Sequence, residues 1–172
     1  MRSCLLLLCC SAALLAQSAG GLKWTPPLGW KSSGSTSMRA ATYPVAPSAG
    51  DKEGAECAVY FFGAGQGGTV QANLDRWQGQ FKAPGGKPAT AKIAKAAVHG
   101  LPVTTIDVSG DYSGMTGPAG APASAPSYRL LGAIVEGPGG NIFIKFAGPA
   151  KTIAANQAKF QQLLDSFEKS GK

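Results

Sequence analysis

The chain has 172 residues with a formal charge of +7, from 16 Lys and Arg against nine Asp and Glu, and a single histidine. That length is one domain with room for a real core. One histidine, and no carboxylates paired at a ligand spacing, argue against a zinc or calcium centre.

Residues 1–20 begin with one positive charge at Arg2, continue with an uncharged run from Leu5 to Ala16 and end in small residues, the three-part pattern of a secretory signal peptide. The run is too short to span a bilayer, so the mature chain is expected to have no transmembrane segment. Ala16-Gln17-Ser18 predicts cleavage after Ser18, with Gly20 as second choice. Cys9 and Cys10 sit in the middle of the apolar run, and Leu8 is large, which argues against a lipid anchor there. The expected address is periplasmic or secreted. Export removes three of the four cysteines and lowers the charge to +6, leaving Cys57 with no internal disulfide partner. Residues 21–172 are then a single domain held by packing.

Trp24 to Trp30 places two tryptophans around Pro26-Pro27 and predicts an ordered irregular lead-in. Met38 to Val45 reads as a strand stopped by Pro44 and Pro47, and Ala55 to Phe62 as a central strand, apolar on both faces apart from Glu56. Val70, Leu74, Trp77 and Phe81 then recur at helical spacing, with Thr69 or Gly68 as cap and Asn73, Arg76 and Gln80 on the opposite face. A Pro/Gly/Lys loop covers 82–89. Strands follow at Ala91–Val98 and Leu101–Ser109 around a turn at His99-Gly100. Gly110 to Ser127, rich in Gly, Ala, Pro and Ser, reads as a mobile loop. Tyr128–Glu136 and Ile142–Phe146 form a hairpin, and a last helix over Thr152–Glu168 buries Ile153, Phe160, Leu164 and Phe167. The order β-β-α-β-β-β-β-α predicts an α+β fold, a three-layer α-β-α sandwich around a mainly antiparallel sheet of about six strands.

Gly63-Ala-Gly-Gln-Gly-Gly68 has the glycine spacing of a dinucleotide-binding turn between strand and helix. No acid occurs between Asp75 and Asp107, so the ribose-binding carboxylate is missing and no cofactor is expected. A structural loop is the leading reading, with a phosphate or carboxylate site at Gln66, Gly67, Gly68, Asn73 and Arg76 as the functional alternative.

His99, Asp107, Ser109, Asp111 and Cys57 supply nucleophile and base types, but no Gly-x-Ser-x-Gly elbow accompanies them. The acid-free stretch with Arg76, Lys82, Lys87, Lys92 and Lys95 reads as a solvated edge or as a site for an acidic protein, anionic lipid or anionic polymer. It has no interleaved aromatics, so nucleic acid is not expected. Arg39, Arg129 and Lys145 interrupt apolar strands and either emerge at the sheet edge or line a cleft with Asp107; Arg129 and Lys145 join the candidate ligand-binding residues.

Several blocks carry a resemblance: Trp-x-Pro-x-x-Gly-Trp at 24–30, Met38-Arg-x-Ala-x-Tyr43, Tyr60-Phe-Phe-Gly-x-Gly-Gln-Gly-Gly68, Asn73-Leu-Asp-Arg-Trp-x-x-Gln-Phe81, Leu131-Gly-Ala-Ile-Val135 and Lys145-Phe-Ala-Gly-Pro149. With these the chain resembles an uncharacterised family of exported bacterial proteins of the PsbP/Mog1-like fold. The resemblance implies an α-β-α sandwich and a role as an accessory or binding protein; it transfers no ion site and no partner. The leading expectation is thus a non-catalytic binding module of the bacterial envelope. The alternative is a small hydrolase or small-molecule-processing enzyme using Asp107 and His99.

Overall fold

The computed structural model describes residues 16–48, 50–113 and 125–171. Residues 1–15, which hold most of the expected export signal, lie outside the described residues, as do 114–124 of the expected loop.

The chain is α+β, with ten strands in two antiparallel sheets and three α-helices among the described residues. The small sheet has the order β1-β2-β10, from Gln17–Ala19, Leu22–Trp24 and Glu168–Lys169. The large sheet runs β3 (Arg39–Val45), β4 (Ala55–Phe61), β9 (Gly140–Pro149), β8 (Ala125–Gly137), β7 (Leu101–Tyr112) and β5 (Phe81–Lys82), with β6 (Ala91–Val98) also paired to β7. Helix α1 (Val70–Gly79) precedes β5, whereas α2 (Ala150–Ala155) and α3 (Gln157–Asp165) follow β9.

Strict alternation along the central strands produces two cores. On one face Cys57, Val59, Leu131, Ala133, Val135, Ile142, Ile144 and Phe146 pack with Ile153, Phe160, Leu163 and Leu164 of α2 and α3. On the other, Ile106, Val108, Leu130, Ile134 and Phe143 pack with Leu74 and Trp77 of α1. The first core is closed at its end by Trp24, which stacks on Phe167 at 5.1 Å and donates its indole N–H to Tyr43 at 2.9 Å. The small sheet thereby ties the two ends of the described chain together.

Several sequence expectations need correction. The strand order has more members than the predicted sheet of about six, because β2, β5 and β10 are two or three residues long and carry no readable alternation. The strand expected over Met38–Val45 is β3 and ends at Val45 as expected, while Pro44 itself still pairs with Glu56, because β3 is an edge strand where a missing N–H donor is harmless. The expected single last helix is broken at Asn156, whose φ of −112° and ψ of 9° leave the helical region, and it ends before β10 rather than at Glu168. Gly110 to Tyr112 continue β7 and residues 125–127 begin β8, so the expected loop is shorter at both ends. Residues 17–19, beside the expected cleavage point, form β1.

Candidate functional site

Helix α1 covers the face of the sheet that carries Glu56, Ala58 and Tyr60 of β4 together with Phe143, Lys145 and Ala147 of β9. Lys145 lies opposite Ala58 on one side and Gly132 on the other. These two small neighbours leave room above the sheet, and Trp77 fills part of it: a Cβ built on Gly132 would stand 2.7 Å from the Trp77 ring. The remaining space is a cleft of about 150 Å³ lined by Tyr60, Phe62, Arg76, Trp77, Phe143 and Lys145.

The glycine loop shapes one wall. Gly67 has φ +88°, and a Cβ there would come within 2.6 Å of Phe143 and 2.7 Å of Phe62. Only glycine permits this approach, which seats the two rings beside the loop. Thr69 caps α1 by accepting from the Ala72 N–H at 3.1 Å. Asn73 donates to the carbonyls of Gly67 and Thr69, each at 2.9 Å, and accepts from the Arg76 guanidinium. A single buried amide thus ties the loop to Arg76, which corrects the expectation that Asn73 lies on the exposed side of the helix.

Lys145 donates to Gln80 Oε1 at 3.2 Å. Burial pushes its ammonium down to about 8, assisted by the positive charges of Arg76 and Arg39 and opposed by Glu56. Arg39 is already matched, donating to Glu56 Oε1 at 2.8 Å with its guanidinium carbon 5.3 Å from the centre of the Tyr60 ring. Among the described residues neither Lys145 nor Arg76 has a carboxylate partner. The cleft therefore holds two cations with no ion-pair partner of their own among the described residues, set among aromatic rings, and the acid that acts on Lys145, Glu56, is paired to Arg39.

Of the sequence candidates, Gly67, Asn73, Arg76 and Lys145 come together here. Gly68 adjoins them with φ +84°, and Gln66 lies exposed at the rim of the loop. Arg129 is on the opposite face, where its guanidinium donates twice to Asp107, at 2.9 and 2.8 Å, and once to Gln157 at 2.9 Å. The Asp107 contact raises the Arg129 pKa. This pair lines a second, polar cleft of about 420 Å³ with Thr90, Lys92, Ser109 and Ala150. So Arg129 does line a cleft with Asp107, whereas Lys145 does not.

His99 is not brought to Asp107. It occupies the β6–β7 turn with φ +47°, and its Nδ1 lies 2.9 Å from the Phe167 carbonyl oxygen. Asp107 is seven residues beyond Gly100 along β7, roughly 20 Å at the usual rise of a strand. Cys57 is fully buried and its thiol pKa is pushed up, by burial first and by Glu56 second. The lysines of the acid-free stretch are dispersed: Lys82 is in β5, Lys87 in the following loop, and Lys92 and Lys95 point to opposite faces of edge strand β6. That is the arrangement of an edge protected against pairing. Sequence reasoning missed the walls Tyr60, Phe62, Trp77 and Phe143, and it missed Gln80 as a partner of Lys145. Alternation along β4 could have placed Tyr60 and Phe62 on one face, but no local signal pairs them with Phe143.

No family model matches this chain, and no curated protein matches it. Among solved structures it is similar to PA94, a Pseudomonas aeruginosa protein of unknown function, with a TM-score of 0.53 at 10% identity over 92% of this chain and 98% of that one. At that identity the likeness shows a shared fold alone. A cyanobacterial PsbP from Synechocystis sp. PCC 6803 is more distant, with a TM-score of 0.46 at 12% identity over 88% of each chain. No helix of the described residues is long and apolar enough to cross a membrane.

Proposed function

We propose that this protein is a non-catalytic accessory module, exported to the bacterial periplasm or beyond, that binds an anionic ligand or partner through the cleft under α1. One observation carries the reading: Lys145 is held partly buried beside Arg76 with no carboxylate partner among the described residues. Retaining a desolvated ammonium next to another cation is unfavourable, and a bound anion would relieve it. The export signal at residues 1–20 and the motif resemblance support the address. The PsbP/Mog1-like sandwich belongs to the same proposal and is supported by helices on both faces of a hairpin-linked sheet.

The hydrolase reading has less behind it, because its acid and its base stand at separate points of β7 and its turn. The test is the melting temperature of the purified protein with anions at low and moderate salt. Stabilisation is expected in wild type and in Arg129→Ala, and its loss in Arg76→Ala. Equal stabilisation in wild type and Arg76→Ala would place binding elsewhere and refute the assignment.

A further inference from the structure

The cleft constrains its ligand more narrowly than charge alone does. Four of its six lining residues are aromatic, namely Tyr60, Phe62, Trp77 and Phe143. Tyr60 and Phe62 are stacked with centroids 5.9 Å apart, and Phe62 meets Phe143 at 5.6 Å with the planes tilted by 56°. Both Tyr60 and Phe62 keep part of their surface open to solvent, so a ligand entering the cleft would cover apolar ring surface as well as meet the cations.

A strongly hydrated polyanion gains little from such walls, since it would press its hydration shell against ring faces, where only the Tyr60 hydroxyl and the Trp77 N–H can donate a hydrogen bond. The volume, about 150 Å³, is also well below that of an ordinary drug-sized site and suits a group of about one ring. The cationic end is preorganised: Gln80 holds the Lys145 ammonium, and Asn73, itself anchored to Gly67 and Thr69, holds the Arg76 guanidinium. A planar guanidinium beside an ammonium suits the two oxygens of a carboxylate.

We propose that the cleft binds a small aromatic monocarboxylate, its carboxylate between Lys145 and Arg76 and its ring against Tyr60, Phe62 and Phe143. This rests on the reading of the cleft as a binding site. The ring supplies the burial and the carboxylate supplies the charge match, so both parts of the ligand are needed.

The test is calorimetric titration of the purified protein with benzoate, acetate, benzamide and inorganic phosphate at one pH and ionic strength. Benzoate is expected to bind at least tenfold more tightly than acetate, benzamide or phosphate, and Arg76→Ala and Lys145→Met are each expected to weaken it at least tenfold. Arg76 is exposed, and retention of its melting temperature in the alanine variant separates loss of binding from loss of folding. Phosphate or acetate binding as tightly as benzoate, with that binding lost in both variants, would overturn the aromatic carboxylate while leaving the anion site standing. Benzamide matching benzoate would overturn the role of the charge. No binding by any anion, or binding indifferent to both variants, would overturn the site itself.

Discussion

Replacing Lys145 by methionine is expected to stabilise the ligand-free protein. Lys145 has its pKa lowered from 10.5 to about 8 by burial, by Arg76 and by Arg39. At ~1.4 kcal/mol per tenfold change in proton affinity, that displacement corresponds to at most about 3.5 kcal/mol against the charged form. The side chain keeps some contact with water, and removing it deprives Gln80 of one partner, so a net gain of about 1–2 kcal/mol is expected near neutral pH. For a domain of this size that is a rise in Tm of roughly 2–6 °C.

The pH dependence is the sharper test. Between about 8 and 10.5 the unfolded chain holds a proton on this lysine that the native protein has released. Wild-type stability therefore rises with pH through that window, and the penalty is complete only below it. The advantage of Lys145→Met should be full at neutral pH and should shrink steadily above about 8. Urea unfolding of both proteins across that range measures it. A variant less stable than wild type at neutral pH, or an advantage that does not change with pH, would refute the reasoning.

Gly67→Ala is expected to destabilise by about 2–4 kcal/mol, combining left-handed backbone strain with a clash against Phe143 and Phe62. Gly65→Ala, where nothing stands within 4 Å, should cost only about 1 kcal/mol, and equal urea midpoints for the two would contradict the packing role of Gly67. A double-mutant cycle on Asp107 and Arg129, whose side chains are 32% and 17% exposed, should give a coupling of about 0.5–1 kcal/mol that falls as salt is added. Cys57 should resist a thiol reagent at mildly alkaline pH in the folded protein and react fully in denaturing urea; rapid labelling of the native state would show that the core opens there.

Much of the fold is written in local patterns. The cap at Thr69 and the spacing of Val70, Leu74 and Trp77 specify α1, the apolar run from Ala55 specifies β4 as a central strand, and the glycines after Glu136 specify the β8–β9 hairpin. Each is a preference of a few neighbouring residues for a dihedral region or a face, so it is legible without the rest of the chain. Pro44 marks the limit: the end of β3 at Val45 is legible beside it, but that its missing N–H is harmless follows from β3 lying at the sheet edge, and strand order is not a local property. Asn73 likewise has the character of a surface residue on a helix wheel until the glycine loop folds back to receive its amide.

The sequence by itself thus determined the α+β class, most element positions and the residue types available for anion binding. It also supplied Arg76, as the cation on the helix that follows the glycine loop, and Lys145, as a cation interrupting an apolar strand. Only the tertiary structure decided that these two share a cleft while Arg129 lies across the sheet, bound to Asp107. Arg76 and Lys145 are brought together by the packing of α1 over β9, and the aromatic walls come from a strand, a loop, a helix and a second strand. Such neighbourhoods depend on sheet register and helix placement, which arise from burial summed over the whole core rather than from any one segment.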